Sequence, residues 1–189
     1  MTDALVASAF HRLRREQSQA QAAVDVHARC IEALLRDCFP QQRDLISDPS
    51  RFKAALCTRR AGKSTCAIRY MLKAAQQKRG ANVQYISLTA KKARKEIWPD
   101  LVRTCRAYGV PFVTNETTMT LKVNESTINL DGCEDSGDVE KYRGSDGGYD
   151  LVIIDETASY DPRTFGELVY DVVGPALADR MGTLMIIGT

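Results

Sequence analysis

The chain has 189 residues, a formal net charge of +2, six cysteines and two histidines. That length suits one domain of ordinary size with room for an appendage. The near-balanced charge excludes a strongly basic nucleic-acid tail but not a local basic patch. No apolar run is long enough to cross a bilayer, and the first ten residues lack the charged-then-apolar pattern of a secretory signal.

Leu5 to Cys38 reads as one long helix or two, with a patchy apolar face of Leu5, Val6, Phe10, Leu13, Val24, Ile31, Leu34 and Leu35. Pro40 is expected to end it. This segment, residues 1–38, reads as a helix packed on the domain, with a docking arm for a partner as the alternative. From Phe52 the pattern turns to alternating strands and helices. A strand Phe52–Leu56 enters a glycine-bearing loop, and a helix follows from about Lys63 to Gln77. "RGAN" turns the chain into a second strand, Val83–Leu88, after which Thr89 can cap a helix that Pro99 should kink or break. "TMTLKV" and "STINL" alternate around Asn124-Glu125 and read as a hairpin. "DLVIID" is a continuous apolar strand, as in a parallel sheet covered on both faces. A helix near Phe165–Val173 and a closing strand "TLMIIGT" complete an open α/β sheet, whose ligands would sit at the carboxyl ends of its strands.

"CTRRAGKST", Cys57 to Thr65, fits the phosphate-loop pattern G-x-x-x-x-G-K-[ST] except that Cys57 stands where the first glycine belongs. Backbone N–H groups at the start of the helix would face an anion. Lys63 would reach the β- and γ-phosphates, Ser64 would hold Mg²⁺, and Thr65 would touch the α-phosphate. Cys57 is small and tolerable at the turn provided its φ stays negative. In "LVIIDE" two acids emerge from a buried strand. Asp155 suits Mg²⁺, and Glu156 points elsewhere, where it would polarise an attacking water. The strand end Gly188-Thr189 could lie beside the γ-phosphate. Lys91, Lys92, Arg94 and Lys95 read as a solvated helix face rather than a DNA track, and Trp98 as core. The cysteines Cys30, Cys38, Cys57, Cys66, Cys105 and Cys133 form no C-x-x-C pair, and His11 and His27 complete no zinc pattern. Free, mostly buried thiols in a reducing cytoplasm follow.

These segments, in this order from Phe39 to the last residue, resemble the ATPase domain of the phage large terminase subunit, the motor that packs DNA into capsids. "FPQQRDLI" resembles the family's adenine motif, and "RRAGKST" its loop with an early arginine and no first glycine. "LKVNESTINLDG" resembles its hairpin, and "YRG" the stretch before the acidic pair. "VVGPALADRMGTLMIIGT" resembles the run into its coupling motif. The resemblance implies a P-loop NTPase of the ASCE type over residues 39–189, a three-layer α/β/α sandwich with a mainly parallel sheet and an inserted β-hairpin. It implies ATP and Mg²⁺ as cofactors, with Arg59, Arg60, Ala61, Gly62, Lys63, Ser64 and Thr65 cradling the phosphates. Gln42, more than Gln41, would read the adenine edge. Arg59 would meet the γ-phosphate in cis, and Arg143, in the glycine-rich and mobile-looking "KYRGSDGG", would be a finger reaching a neighbouring subunit's ATP. Gly188 and Thr189 would couple hydrolysis to movement. The implied partners are double-stranded DNA, a portal protein, a small terminase subunit and further copies in a ring, in the host cytoplasm and with no membrane. A terminase would continue into a nuclease domain; with no acidic nuclease cluster in the sequence, no nuclease activity is expected of this chain. The alternatives are a helicase-like DNA translocase and a non-hydrolysing nucleotide-binding remnant of a prophage.

Overall fold

Seven strands form one sheet in the order β1-β7-β6-β2-β5-β4-β3. Strands β1 (Phe52–Leu56), β7 (Thr183–Gly188), β6 (Leu151–Ile154), β2 (Asn82–Ser87) and β5 (Ser126–Gly132) run parallel. Strands β4 (Thr120–Val123) and β3 (Val113–Asn115) extend the sheet antiparallel. The computed structural model describes residues 2–143 and 147–188; of side chains 2–11, 20 and 23 nothing is said.

Side-chain alternation along the central strands builds two cores. Leu151 and Ile153 face one side with Val83, Tyr85, Met185 and Ile187, and Val152 and Ile154 face the other with Ile86 and Leu184. Because both faces are covered, β6 is apolar at every position. The first core packs under α3 (Lys63–Gln77) and α5 (Trp98–Ala107) and takes in Cys30, Leu34 and Cys38 from the N-terminal region. The second packs under α6 (Ser136–Val139), α7 (Pro162–Gly166) and α8 (Gly174–Ala178).

The N-terminal segment is a single helix, α1 (Thr2–Arg36). Its last turns join the core, whereas Leu13 and Val24 are 53% and 60% exposed, so the earlier part of its apolar stripe is not packed on the domain. Pro40 does not simply end it. The chain leaves the helix at Asp37–Cys38, and Pro40 opens a second one, α2 (Pro40–Ser47), at the first-turn position where proline's missing N–H is harmless. Pro99 breaks nothing either. α4 (Ala90–Lys92) passes through a π-helical stretch, Ala93–Ile97, into α5, with the Trp98 N–H bonded to the Ala93 carbonyl. That wider turn re-registers the helix just before the proline. Thr89 caps α4 by accepting from the Lys92 N–H at 3.0 Å. A similar π-helical stretch, Glu167–Val173, joins α7 to α8, so the helix expected at Phe165–Val173 runs further at both ends.

The hairpin β4–β5 turns on Asn124 and Glu125, both left-handed at φ 52° and 60°, the geometry of a two-residue primed turn. β1 is the edge of the sheet, paired only with β7, and carries Phe52 and Leu56 at 65% and 81% exposure. All six cysteines are free, and all but Cys57 are buried. Trp98 is buried.

Candidate functional site

The parallel strands deliver the loop and the acids to one edge of the sheet. Leu56 lies opposite Gly188, and the Cys57 N–H donates to the Gly188 carbonyl at 3.2 Å, tying the loop's first residue to the end of β7. Left-handed backbone occurs in the loop at Arg60 (φ 66°) and Gly62 (φ 80°) but not at Cys57. The tight turn is therefore made further along the loop, and its first position needs no glycine. Gly62 does: a Cβ there would stand 2.7 Å from Gln42 Nε2.

Gln42 braces the loop. Its Nε2 donates to the Gly62 carbonyl at 2.9 Å, and its Oε1 accepts from the Phe39 N–H at 3.1 Å. Gln41 and Gln42 both line a cavity of about 80 Å³ between α2 and the loop. Lys63 Nζ donates to the carbonyls of Cys57 and Thr58, each at 3.1 Å. Ser64 and Thr65 are exposed at the first turn of α3, and Arg59, Arg60 and Ala61 are exposed on the loop.

At the end of β6, two places from β1 with β7 between, Asp155 is only 8% exposed. Its Oδ2 accepts from the Tyr85 hydroxyl and its Oδ1 from the Glu156 N–H at 2.7 Å. Burial raises its pKa; the two donors pull against that, the Glu156 charge adds to it, and Lys63 is close enough to oppose it. Burial, together with the nearby Asp155, keeps the Tyr85 hydroxyl protonated, so it is a fixed donor.

Glu156 is left-handed at φ 56°, a conformation that costs a non-glycine residue about 1–2 kcal/mol. Its carboxylate pairs with Lys92 from the first turn after β2. Thr157, next along, donates from Oγ1 to the Ile187 carbonyl at 3.4 Å, and a Cβ on Gly188 would stand 2.8 Å from that Oγ1. The end of β7 is thus wedged between the loop and the segment after the acids.

A magnesium ion asks for hard oxygen ligands and often takes only one or two carboxylates, with phosphate and water completing its shell. The buried Asp155 carboxylate, its remaining lone pairs free, and the exposed Ser64 hydroxyl fit that donor set. No cluster of three or more His, Cys, Asp or Glu suits a metal among the described residues.

Arg143 stands apart from this edge. It bonds Glu140 at 2.8 and 3.0 Å and the Asp171 carbonyl at 3.2 Å, after a short 3-10 turn, Glu140–Tyr142. That turn and α6 occupy a stretch for which the sequence suggested only loop. Thr189 lies outside the described residues. Two neighbours of the acids were not singled out by sequence. Tyr85 occupies an apolar strand position and reads as core. Lys92 sits in a basic run that reads as solvated, although its place in the first turn after Thr89 puts it at the strand ends. Arg94 in that run donates to the carbonyls of Glu116 and Thr117, and is not simply solvated.

No protein-family model and no curated protein matches the sequence. Solved structures do match the fold. The ATPase domain of the large terminase of Thermus phage P74-26 superposes with a TM-score of 0.65 at 19% identity, over 83% of this chain and 67% of that one. The chain has the fold of a terminase ATPase domain. The HK97 bacteriophage large terminase gives a TM-score of 0.63 at 13% identity, over 86% of this chain and 37% of that one. The large terminase of a thermophilic bacteriophage, solved in complex with ADP, gives 0.60 at 15% identity, over 86% of this chain and 38% of that one. This chain therefore spans well under half the length of those two whole terminases, and about two thirds of the isolated terminase ATPase domain.

Proposed function

We propose that the chain is the ATP-hydrolysing module of a viral DNA-packaging terminase. The observation that carries this reading is the opening of Gly62-Lys63-Ser64 and Asp155-Glu156 on one edge of a parallel sheet, with the Lys63 charge within electrostatic reach of Asp155. Large terminases of this fold have been solved with ADP and with ATP-gamma-S, which supports a nucleotide in the same loop here.

Lys63 leaves the carbonyls of Cys57 and Thr58 for the β- and γ-phosphate oxygens, a charge-assisted exchange that favours the nucleotide. Loop N–H groups and the start of α3 hold the remaining phosphate oxygens, with Arg59, Arg60, Ala61 and Thr65 alongside. Ser64 and Asp155 would hold Mg²⁺, which supplies charge neutralisation at the phosphates when bound. Glu156, released from Lys92, orients a water in line with the γ-phosphate and takes its proton. Gln42 sits where it holds the loop and can present its remaining N–H to the base. Arg59 serves in cis and Arg143 in trans, a finger of the kind that adds about 10³–10⁵ in rate. Gly188 and Thr189 report loss of phosphate to elements that grip double-stranded DNA. In this reading the chain works in the host cytoplasm as a ring of copies with a portal protein and a small terminase subunit. Among the described residues no helix is long and apolar enough to cross a membrane.

The test is Glu156→Gln. It should retain ATP binding, measured by calorimetry, and abolish phosphate release; turnover persisting in this variant would remove Glu156 as the base.

A further inference from the structure

One buried polar atom among the described residues has no hydrogen-bond partner: the hydroxyl of Tyr160. The residue is only 7% exposed, and its ring packs against Phe165 with centroids 5.9 Å apart. A phenylalanine would keep that packing and relieve an unmet donor, which carries a desolvation cost in a protein interior. Two other buried tyrosines nearby show the usual arrangement. Tyr85 donates to Asp155, and Tyr142 donates to the Gly132 carbonyl at 2.8 Å.

What surrounds the orphan hydroxyl points to its acceptor. Burial, with Cys133 and the carboxylates of Asp155 and Glu156 nearby, pushes its pKa up, so it remains a donor facing groups that accept. Asp155 already has a donor on each oxygen. Glu156 is engaged through Oε2 with Lys92. Tyr160 is tied to Glu156 through one tight turn, with Ser159 N–H on the Glu156 carbonyl at 2.8 Å and Tyr160 N–H on the Thr157 carbonyl at 3.4 Å. Ring and carboxylate therefore belong to one small rigid unit.

We propose that Tyr160 is a positioning residue for Glu156, whose carboxylate becomes the acceptor of the Tyr160 hydroxyl when magnesium and nucleotide occupy the loop. This rests on the ATPase reading. A phenol orients a carboxylate without neutralising it, whereas the Lys92 ammonium holds it as an ion pair. The seat at Tyr160 therefore leaves Glu156 aimed and still basic.

The experiment compares Tyr160→Phe with the unmodified chain in thermal unfolding and in titration with ATP-gamma-S and Mg²⁺. Without nucleotide the variant should melt at the same or a higher temperature. With nucleotide it should bind about fivefold more weakly, the loss of one net hydrogen bond formed only in the bound state. Tyr142→Phe is the structural control, with a lower melting temperature in both states and unchanged affinity. Equal affinities of Tyr160→Phe and the unmodified chain overturn the inference and leave the ATPase reading standing. So does a lower melting temperature of nucleotide-free Tyr160→Phe, because the hydroxyl would then already have a partner. Failure of the unmodified chain to bind the analogue overturns both.

Discussion

Two lysines face the candidate site from opposite sides and are held in different ways. Lys63 rests on two main-chain carbonyls of its own loop, neutral dipoles that an incoming phosphate outbids because its oxygens are charged. Lys92 rests on a carboxylate, and that carboxylate belongs to the residue that would activate water. The phosphate-binding end is therefore ready for an anion, while the hydrolytic end is occupied by an ion pair that must open first. Binding and cleavage are separable in such a site, because different contacts restrain each.

That contrast can be broken most decisively at Lys63. Lys63→Ala removes the charge that takes over the phosphates, and affinity for ATP should fall by about 10- to 100-fold in calorimetry, the loss of one charge-assisted bond. Binding unchanged in that variant would mean that the loop is not a phosphate site. Gly62→Ala probes the same end through the backbone. The added Cβ meets Gln42 Nε2 and sits at φ 80°, so denaturant unfolding should show a loss of about 1–2 kcal/mol and nucleotide affinity should weaken with it. The smallest effect belongs to the other lysine. Lys92→Met breaks a pair whose side chains are 37% and 32% exposed, so stability should change by less than about 1 kcal/mol. ATP affinity should stay where it was. If Lys92→Met lost nucleotide as Lys63→Ala does, both lysines would be phosphate ligands and the contrast between the two ends would disappear.

The sequence makes the parallel core readable because its strands are buried on both faces, so "LVII" and "TLMII" stand out as unbroken apolar runs. The loop is legible through Gly62-Lys63-Ser64 between a strand and a helix, and the hairpin through the alternation around Asn124-Glu125. Other features are hidden for physical reasons. Proline both stops a helix and starts one, so Pro40 reads either way until the two-residue gap at Asp37–Cys38 is seen. β3 has three residues at the sheet's far edge, too few to show any period. The pairing of Lys92 with Glu156 spans 64 positions and depends on β2 lying beside β6. Tyr160 carries no signal at all in sequence, since a tyrosine in a core position looks the same with its hydroxyl satisfied or not. Gln42 was linked to the base by resemblance alone; its hold on Gly62 needs α2, the one helix of this region that the reading around Pro40 left out.

The open side of β1 has a practical consequence for anyone handling the chain. Five residues of backbone with unanswered N–H and C=O groups, flanked by Phe52 and Leu56, offer a template on which another molecule's extended segment can stack. Concentrated preparations will therefore tend toward clumping that begins at this border rather than at the nucleotide loop. Scattered light that climbs with protein concentration, and that a lysine introduced at Phe52 suppresses, would trace the tendency to its source.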